Sequence, residues 1–144
     1  MFDAKQISEL PPLAKAIGME LVEIKDRFCI VKVPYAAHLV GDPDTGVLHG
    51  GVITTALDNA SGWAIRVHED WIDGLSMATL DIRIDYMRPA EPHKDLIVQS
   101  TCYKMSKNVA FVRAFAHQGD PDDPVATSVA AFMLGTPNTE GKNL

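Results

Sequence analysis

The sequence predicts an α+β fold, one long helix packed on a single antiparallel sheet. Three observations predict it. There is a single long helix-like stretch, LHGGVITTALDNASGW, from Leu48 to Trp63 and continuing to about Val67. About six other segments read as strands. The connections after residue 88 are hairpin-length, which implies antiparallel pairing, and one helix on such a sheet is a stable two-layer arrangement. Asp3 to Ala16 reads as a short helix interrupted by Pro11-Pro12. The runs Gly18 to Lys25 and Arg27 to Val33 are strands joined by a tight turn at Asp26. The segment from Tyr35 to Gly46, rich in Gly, Pro and Asp, is a loop that leads into the helix. After the polar break HEDWIDG, residues Ser76 to Met87 alternate. Leu80, Ile82, Ile84 and Tyr86 take one face, and Thr79, Asp81, Arg83 and Asp85 take the other. Arg88-Pro89 ends that strand. Asp95 to Lys104 and Asn108 to Gln118 follow, with a turn at Met105 to Lys107. GDPDDP is a further turn, Val125 to Leu134 is the last strand, and the tail TPNTEGKNL reads as flexible.

The 144 residues suit one domain spanning 1–144, with a core from about 18 to 135 and no internal repeat or linker. Hydrophobic residues make up 47% and charged residues 22%, which is globular composition. No stretch approaches the roughly 20 apolar residues of a membrane span, and MFDAKQISELPP lacks the apolar core of a signal peptide. The net charge of −6 argues against a nucleic-acid partner, which needs a clustered basic face. Cys29 and Cys102 lie in strands without metal-ligand spacing, so a reduced thiol pair is expected, and with it a cytoplasmic protein with no metal site.

The helix carries small residues on several faces: Thr54, Thr55, Ala56, Ala60, Ser61, Gly62 and Ala64. A glycine inside a helix costs about 1 kcal/mol relative to Ala. Such a surface is expected where backbone from a curved sheet closes in on all sides. Asp58 then sits where solvent is scarce, and a buried carboxylate without a partner is expensive. Either it is satisfied structurally, with Asn59 and Ser61 as the nearest candidates, or it is kept for chemistry.

GVLHGGVITTALD, followed after about twenty residues by TLDIRIDYMRPA, resembles the hotdog-fold acyl-CoA thioesterases, in their phenylacetate-degradation-type branch. The likeness covers about Gly18 to Gly135. It implies a long central helix wrapped by a curved antiparallel sheet. It also implies dimers whose two sheets join, often paired into tetramers, with an acyl-CoA as substrate and no separate cofactor. By the same resemblance Asp58 is the catalytic carboxylate. Gly50, with Gly51 adjacent, supplies the backbone amide that polarises the thioester carbonyl, and Thr79 supplies a hydroxyl at the site. Arg88, Lys104 and Lys107 stand where the family places basic residues for the phosphates of coenzyme A. One position departs from the pattern. Where the family often has Asn or Gln, six residues before the HGG histidine, this chain has Pro43, flanked by Asp42 and Asp44. One carbonyl donor is then missing or is replaced, for example by His38.

Thioester hydrolysis needs a polarised carbonyl and an activated attacker. A helix N-terminus at Gly50-Gly51 offers free N–H groups and a positive dipole end, and glycine admits close approach. Asp58 either attacks the carbonyl or activates water. Gly50 and Asp58 are eight residues apart, about 12 Å along one helix, too far to share a carbon within one chain. Two helices running antiparallel across a two-fold axis would bring them together. His49 is expected to be structural rather than a base, Arg83 and Arg113 to be solvated, and Trp63 and Trp71 to be core or acyl-pocket wall. Asp122-Asp123 reads as a turn. A hotdog hydratase is disfavoured because its His-plus-carboxylate motif is absent. A non-catalytic acyl-CoA-binding protein is the alternative from another class, and Pro43 keeps it open.

Overall fold

The computed structural model describes residues 10–135. The proline that fixes φ at a helix start opens α1 (Pro12–Ala16). The part of the expected first helix before residue 10, and the tail from 136, lie outside the described residues. Strands β1 (Glu20–Lys25) and β2 (Phe28–Val33) form a hairpin whose turn puts Arg27 at φ 63. A short 3-10 turn (Ala37–Leu39) precedes α2 (Gly50–Arg66). Then come β3 (Met77–Tyr86), β4 (Leu96–Met105), β5 (Val109–His117) and β6 (Ala126–Leu134). They form one six-stranded antiparallel sheet in the order β1-β2-β4-β5-β6-β3. The expected strands and long helix are all present, with ends shifted by one or two residues.

The sheet packs its alternating apolar positions onto α2. Cys29, Val31 and Val33 of β2 are fully buried, as are Leu96, Val98 and Cys102 of β4 and Ala110, Val112 and Ala116 of β5. Against them lie Ala56, Leu57, Ala60, Ala64 and Ile65 of α2, also fully buried. Small residues on both surfaces let the helix lie close to the strands. The Cys29 thiol donates to the Ala60 carbonyl at 3.2 Å, which ties β2 to the helix where no other hydrogen-bonding side chain of β2 reaches it. Burial pushes that thiol's pKa up to about 12, so it stays protonated and inert. Both cysteines are free.

One expectation is overturned at β3. Strict alternation puts Leu80 on the helix side and Thr79 outside. A β-bulge between Thr79 and Asp81 inserts Leu80 as an extra residue, so Thr79 pairs with Phe132 while Asp81 pairs with Ala131. The side-chain phase changes there. Thr79 turns toward α2 together with Ile82, Ile84 and Tyr86, and Leu80 is left 53% exposed. β3 ends the sheet: β6 is its one neighbour, so its other edge is unpaired among the described residues.

Candidate active site

β3 runs antiparallel to α2 and its side chains hydrogen-bond to it at two places. At the C-terminal end of β3, Tyr86 Oη donates to the Gly50 carbonyl at 3.0 Å and also meets Thr54 Oγ1. Near its N-terminal end, Thr79 Oγ1 donates to Asp58 Oδ1 at 2.8 Å.

His49 caps the helix. Its Nδ1 accepts from the Gly51 N–H at 2.8 Å, and its carbonyl accepts from the Val52 N–H at 2.9 Å. Gly51 is therefore no free donor, which corrects the expectation that both glycines offer N–H groups. Gly51 is needed for a steric reason: a Cβ there would lie 2.9 Å from His49 Nδ1. The Gly50 N–H has no partner among the described residues. With the Gly50 carbonyl held by Tyr86 and the Gly51 amide held by His49, the first turn is pinned and one donor is left over. Gly50 itself lines a groove of about 410 Å³ together with Val47, Leu48, Ile53, Tyr86 and Arg88. The cap also makes His49 structural, as expected.

Asp58 lies in a second groove of about 410 Å³, with Leu13, Gly62, Trp63, Met77, Thr79 and Phe132 among its walls. The carboxylate is half-buried rather than closed off from solvent. Thr79 satisfies Oδ1, and Oδ2 has no hydrogen bond among the described residues. Asn59 and Ser61, the expected partners, turn back onto the helix: Asn59 donates to the Thr55 carbonyl and Ser61 to the Leu57 carbonyl. Thr79 takes their place only because of the bulge. Backbone does not crowd the helix on every side either. Among the described residues outside the helix's own backbone, a Cβ at Gly62 would meet the Met77 Cε at 3.3 Å and nothing else within 4 Å. Trp63, expected as core or pocket wall, is buried in the core and also lines this groove, and Arg66 lies over its ring. Trp71 is half-buried against the core.

The carbonyl-donor question at Pro43 is not answered nearby. Asp42 closes the turn with its own carboxylate, accepting from Asp44 N and Thr45 Oγ1, and these bonds hold its pKa below the usual range. His38 Nε2 donates to the Ala16 carbonyl at 3.2 Å, so it is not available as a substitute.

The candidate cations divide. Arg88 borders the Gly50 groove, but its guanidinium is occupied. It donates to the Pro89 and Asp123 carbonyls and to Gln118 Oε1, and its Nε lies 3.2 Å from Asp123 Oδ2. It serves the loop between β5 and β6. Lys104 and Lys107 are exposed, and neither forms an ion pair among the described residues. Lys107 edges a cavity of about 550 Å³ near the C-terminal end of α2, with Asp70, Leu75 and Asn108. Arg83 pairs with Asp85, and Arg113 stacks on Tyr103. Sequence reasoning missed Tyr86 as a site residue, treating it as one more apolar position of β3. The signal for it was a phenol on the face of β3 that alternation turns toward the helix, at the end of the strand.

A profile of the thioesterase superfamily matches residues 45–125. The Escherichia coli protein YigI, a medium/long-chain acyl-CoA thioesterase, is 30% identical over 135 residues, covering 86% of each chain. A crystal structure of a Pseudomonas aeruginosa protein is 40% identical, with a TM-score of 0.74 over 85% of this chain and 90% of that one. The E. coli PaaI protein of the phenylacetic acid degradation operon shares the fold, with a TM-score of 0.76 at 19% identity over 90% of this chain and 88% of that one.

Proposed function

Because the chain belongs to the thioesterase superfamily, we propose that it hydrolyses an acyl-CoA thioester held between Asp58 of one subunit and Gly50 of another. The observation that carries this reading is the pair of half-sites on one helix. A carboxylate with one oxygen fixed and one free lies in one groove, and a helix-terminal N–H without a partner belongs to Gly50, which lines the other. The Gly50 N–H would take the hydrogen bond of the oxygen that becomes negative, a contact typically worth about 3–4 kcal/mol. Asp58 acts from the other side. As a base, Oδ2 removes a proton from water as the new C–O bond forms. The C–S bond then breaks, and the proton returns to the departing thiolate. As a nucleophile, Oδ2 attacks the carbonyl carbon and the C–S bond breaks, releasing the coenzyme A thiolate, which takes a proton from solvent; water then opens the resulting anhydride to the free acid and restores the Asp58 carboxylate. Thr79 fixes the carboxylate in either route.

The unpaired edge of β3 supports a homodimer. If two copies of β3 pair antiparallel about their middle, the Tyr86–Gly50 end of one faces the Thr79–Asp58 end of the other. Pairing such dimers would give the tetramer that the resemblance implies. Lys104 and Lys107 are the groups we assign to the coenzyme A phosphates; Arg88 is too engaged in its loop. The two free thiols support a reducing compartment, the cytoplasm. Among the described residues no helix is long and apolar enough to cross a membrane.

The test is thiol release from a panel of acyl-CoAs by the wild type and by Asp58→Asn. The variant is expected to fold, by urea titration, and to lose at least about a hundredfold in rate, the scale of a positioned base. A wild-type rate in the variant removes Asp58 from the mechanism. One observation favours a second reading, a non-catalytic acyl-CoA-binding protein: Pro43 and His38 leave the carbonyl with one donor. Tight acyl-CoA binding with no thiol release from any substrate would select it.

A further inference from the structure

Gly62 is a buried glycine in the interior of α2, a position where Ala is the better helix former. Such a glycine is usually explained by backbone packed against it. Gly41 has that explanation, since a Cβ there would lie 2.8 Å from the His49 Cα. Gly62 does not. Among the described residues, the one atom in the path of its Cβ is Met77 Cε, the end of the most flexible apolar side chain, on the first residue of an edge strand. Gly62 therefore leaves a recess the depth of a methyl group, and the movable Met77 thioether closes its mouth, with Cε 3.3 Å from where a Cβ would lie. The recess is one helical turn beyond Asp58, on the same face and in the same groove. Among the described residues that line the groove, Leu13, Trp63 and Phe132 are apolar, and the one cation, Arg66, is held over Trp63. Apolar surface therefore continues from Asp58 across Gly62 along this groove.

We propose that Gly62 and Met77 set the length of acyl chain this protein accepts: Met77 closes the recess when the chain is short and opens it when a longer chain passes over Gly62. The inference rests on Asp58 being the reacting end of the groove. It goes further by assigning the direction of the acyl chain and the two residues that limit it. It also assigns the coenzyme A moiety to the other side of Asp58, toward the half-site supplied by the partner.

The experiment compares wild type, Gly62→Ala, Gly62→Val and Met77→Ala on butanoyl-, octanoyl- and dodecanoyl-CoA. It also measures binding of the matching S-alkyl-CoA thioethers, which cannot be hydrolysed. Gly62→Val is expected to lower kcat/KM for dodecanoyl-CoA at least about tenfold more than for butanoyl-CoA, the scale of a methylene-sized misfit in an apolar pocket. Gly62→Ala should act in the same direction, more weakly. Met77→Ala should move the preference toward the longer chain. The thioether affinities should follow the same order. An equal change at all three lengths would overturn the inference and mark Gly62 as structural or as lying under coenzyme A. An unchanged profile in both Gly62 variants would also overturn it. Because Gly62→Ala restores helix propensity, a fold-independent reading survives if Val disrupts the helix. Thioether binding whose length preference shifts in the Gly62 and Met77 variants, with no hydrolysis by the wild type, would sustain the inference and sink the hydrolase reading alone. A wild type that binds no thioether would overturn both.

Discussion

Asp58 was conspicuous in the sequence because charge is rare on that helix, and a carboxylate has few reasons to be there. Its partner was hidden. Thr79 stands three residues from Ile82, and only the bulge at Leu80 lets both face the helix. A bulge is a local change of phase, and alternation read along a strand carries no mark of it. The hydrogen bond from Thr79 to Asp58 is charge-assisted, and such bonds are worth about 1.5–3 kcal/mol. If the fixed carboxylate matters in the transition state, Thr79→Val should lower kcat about ten- to hundredfold and leave KM nearly unchanged, whereas Thr79→Ser should retain most of the rate. Steady-state kinetics on one good acyl-CoA decides it: a Val variant as fast as wild type would leave Thr79 a packing residue. The lysines belong at this scale too. Lys104→Glu with Lys107→Glu should raise KM with little effect on kcat, and added salt should narrow the difference from wild type by screening. An unchanged KM would mean that the phosphates bind elsewhere.

At the scale of elements, helix and strands were legible because their periods differ, and because Gly, Pro and Asp mark nearly every turn. The division of labour within HGG was not legible. Three adjacent residues do three jobs: His49 caps, Gly51 leaves room for the cap, and Gly50 keeps a free amide. Spacing alone treats the two glycines as equivalent; the difference arises from which way the imidazole turns. His49→Ala should therefore cost about 1 kcal/mol of stability, the usual value of an N-cap, read as a lower urea midpoint at constant m-value. His49→Asn, whose side-chain oxygen can also accept from the second amide, should recover most of it. Activity should follow the cap rather than the imidazole's proton chemistry. A His49→Asn variant that is stable yet inactive would show that His49 does more than hold the turn.

For the whole molecule, the decisive quantity was already in the sequence as a count of eight residues, and the fold converts it into two separate grooves along one helix. What the count left out was β3. That strand carries a hydrogen bond to each half-site and leaves an edge open beside both. A site assembled from two chains has a consequence that no single-chain site shares. Gly50→Val should abolish activity by blocking approach to the amide. A Cβ there comes no closer than 3.7 Å to Tyr86, and an unchanged urea midpoint of the variant checks that its own subunit also accepts the γ-methyl groups. Asp58→Asn should abolish activity at the other half-site. If the two inactive variants are dissociated, mixed one to one and reassembled, half of the dimers are mixed. In each mixed dimer one site receives both defects and the other receives neither, so about a quarter of wild-type activity per subunit should return. Mixing wild type with a chain carrying both substitutions separates the models from the opposite direction. Shared sites leave about a quarter of the activity there, whereas sites within one chain leave about half. Subunit exchange is checked by mass-tagged chains. A mixture of the two single variants that exchanges fully and stays inactive would refute the shared site, and Asp58 would then need a carbonyl donor from its own chain, which the Gly50 amide is too distant to be.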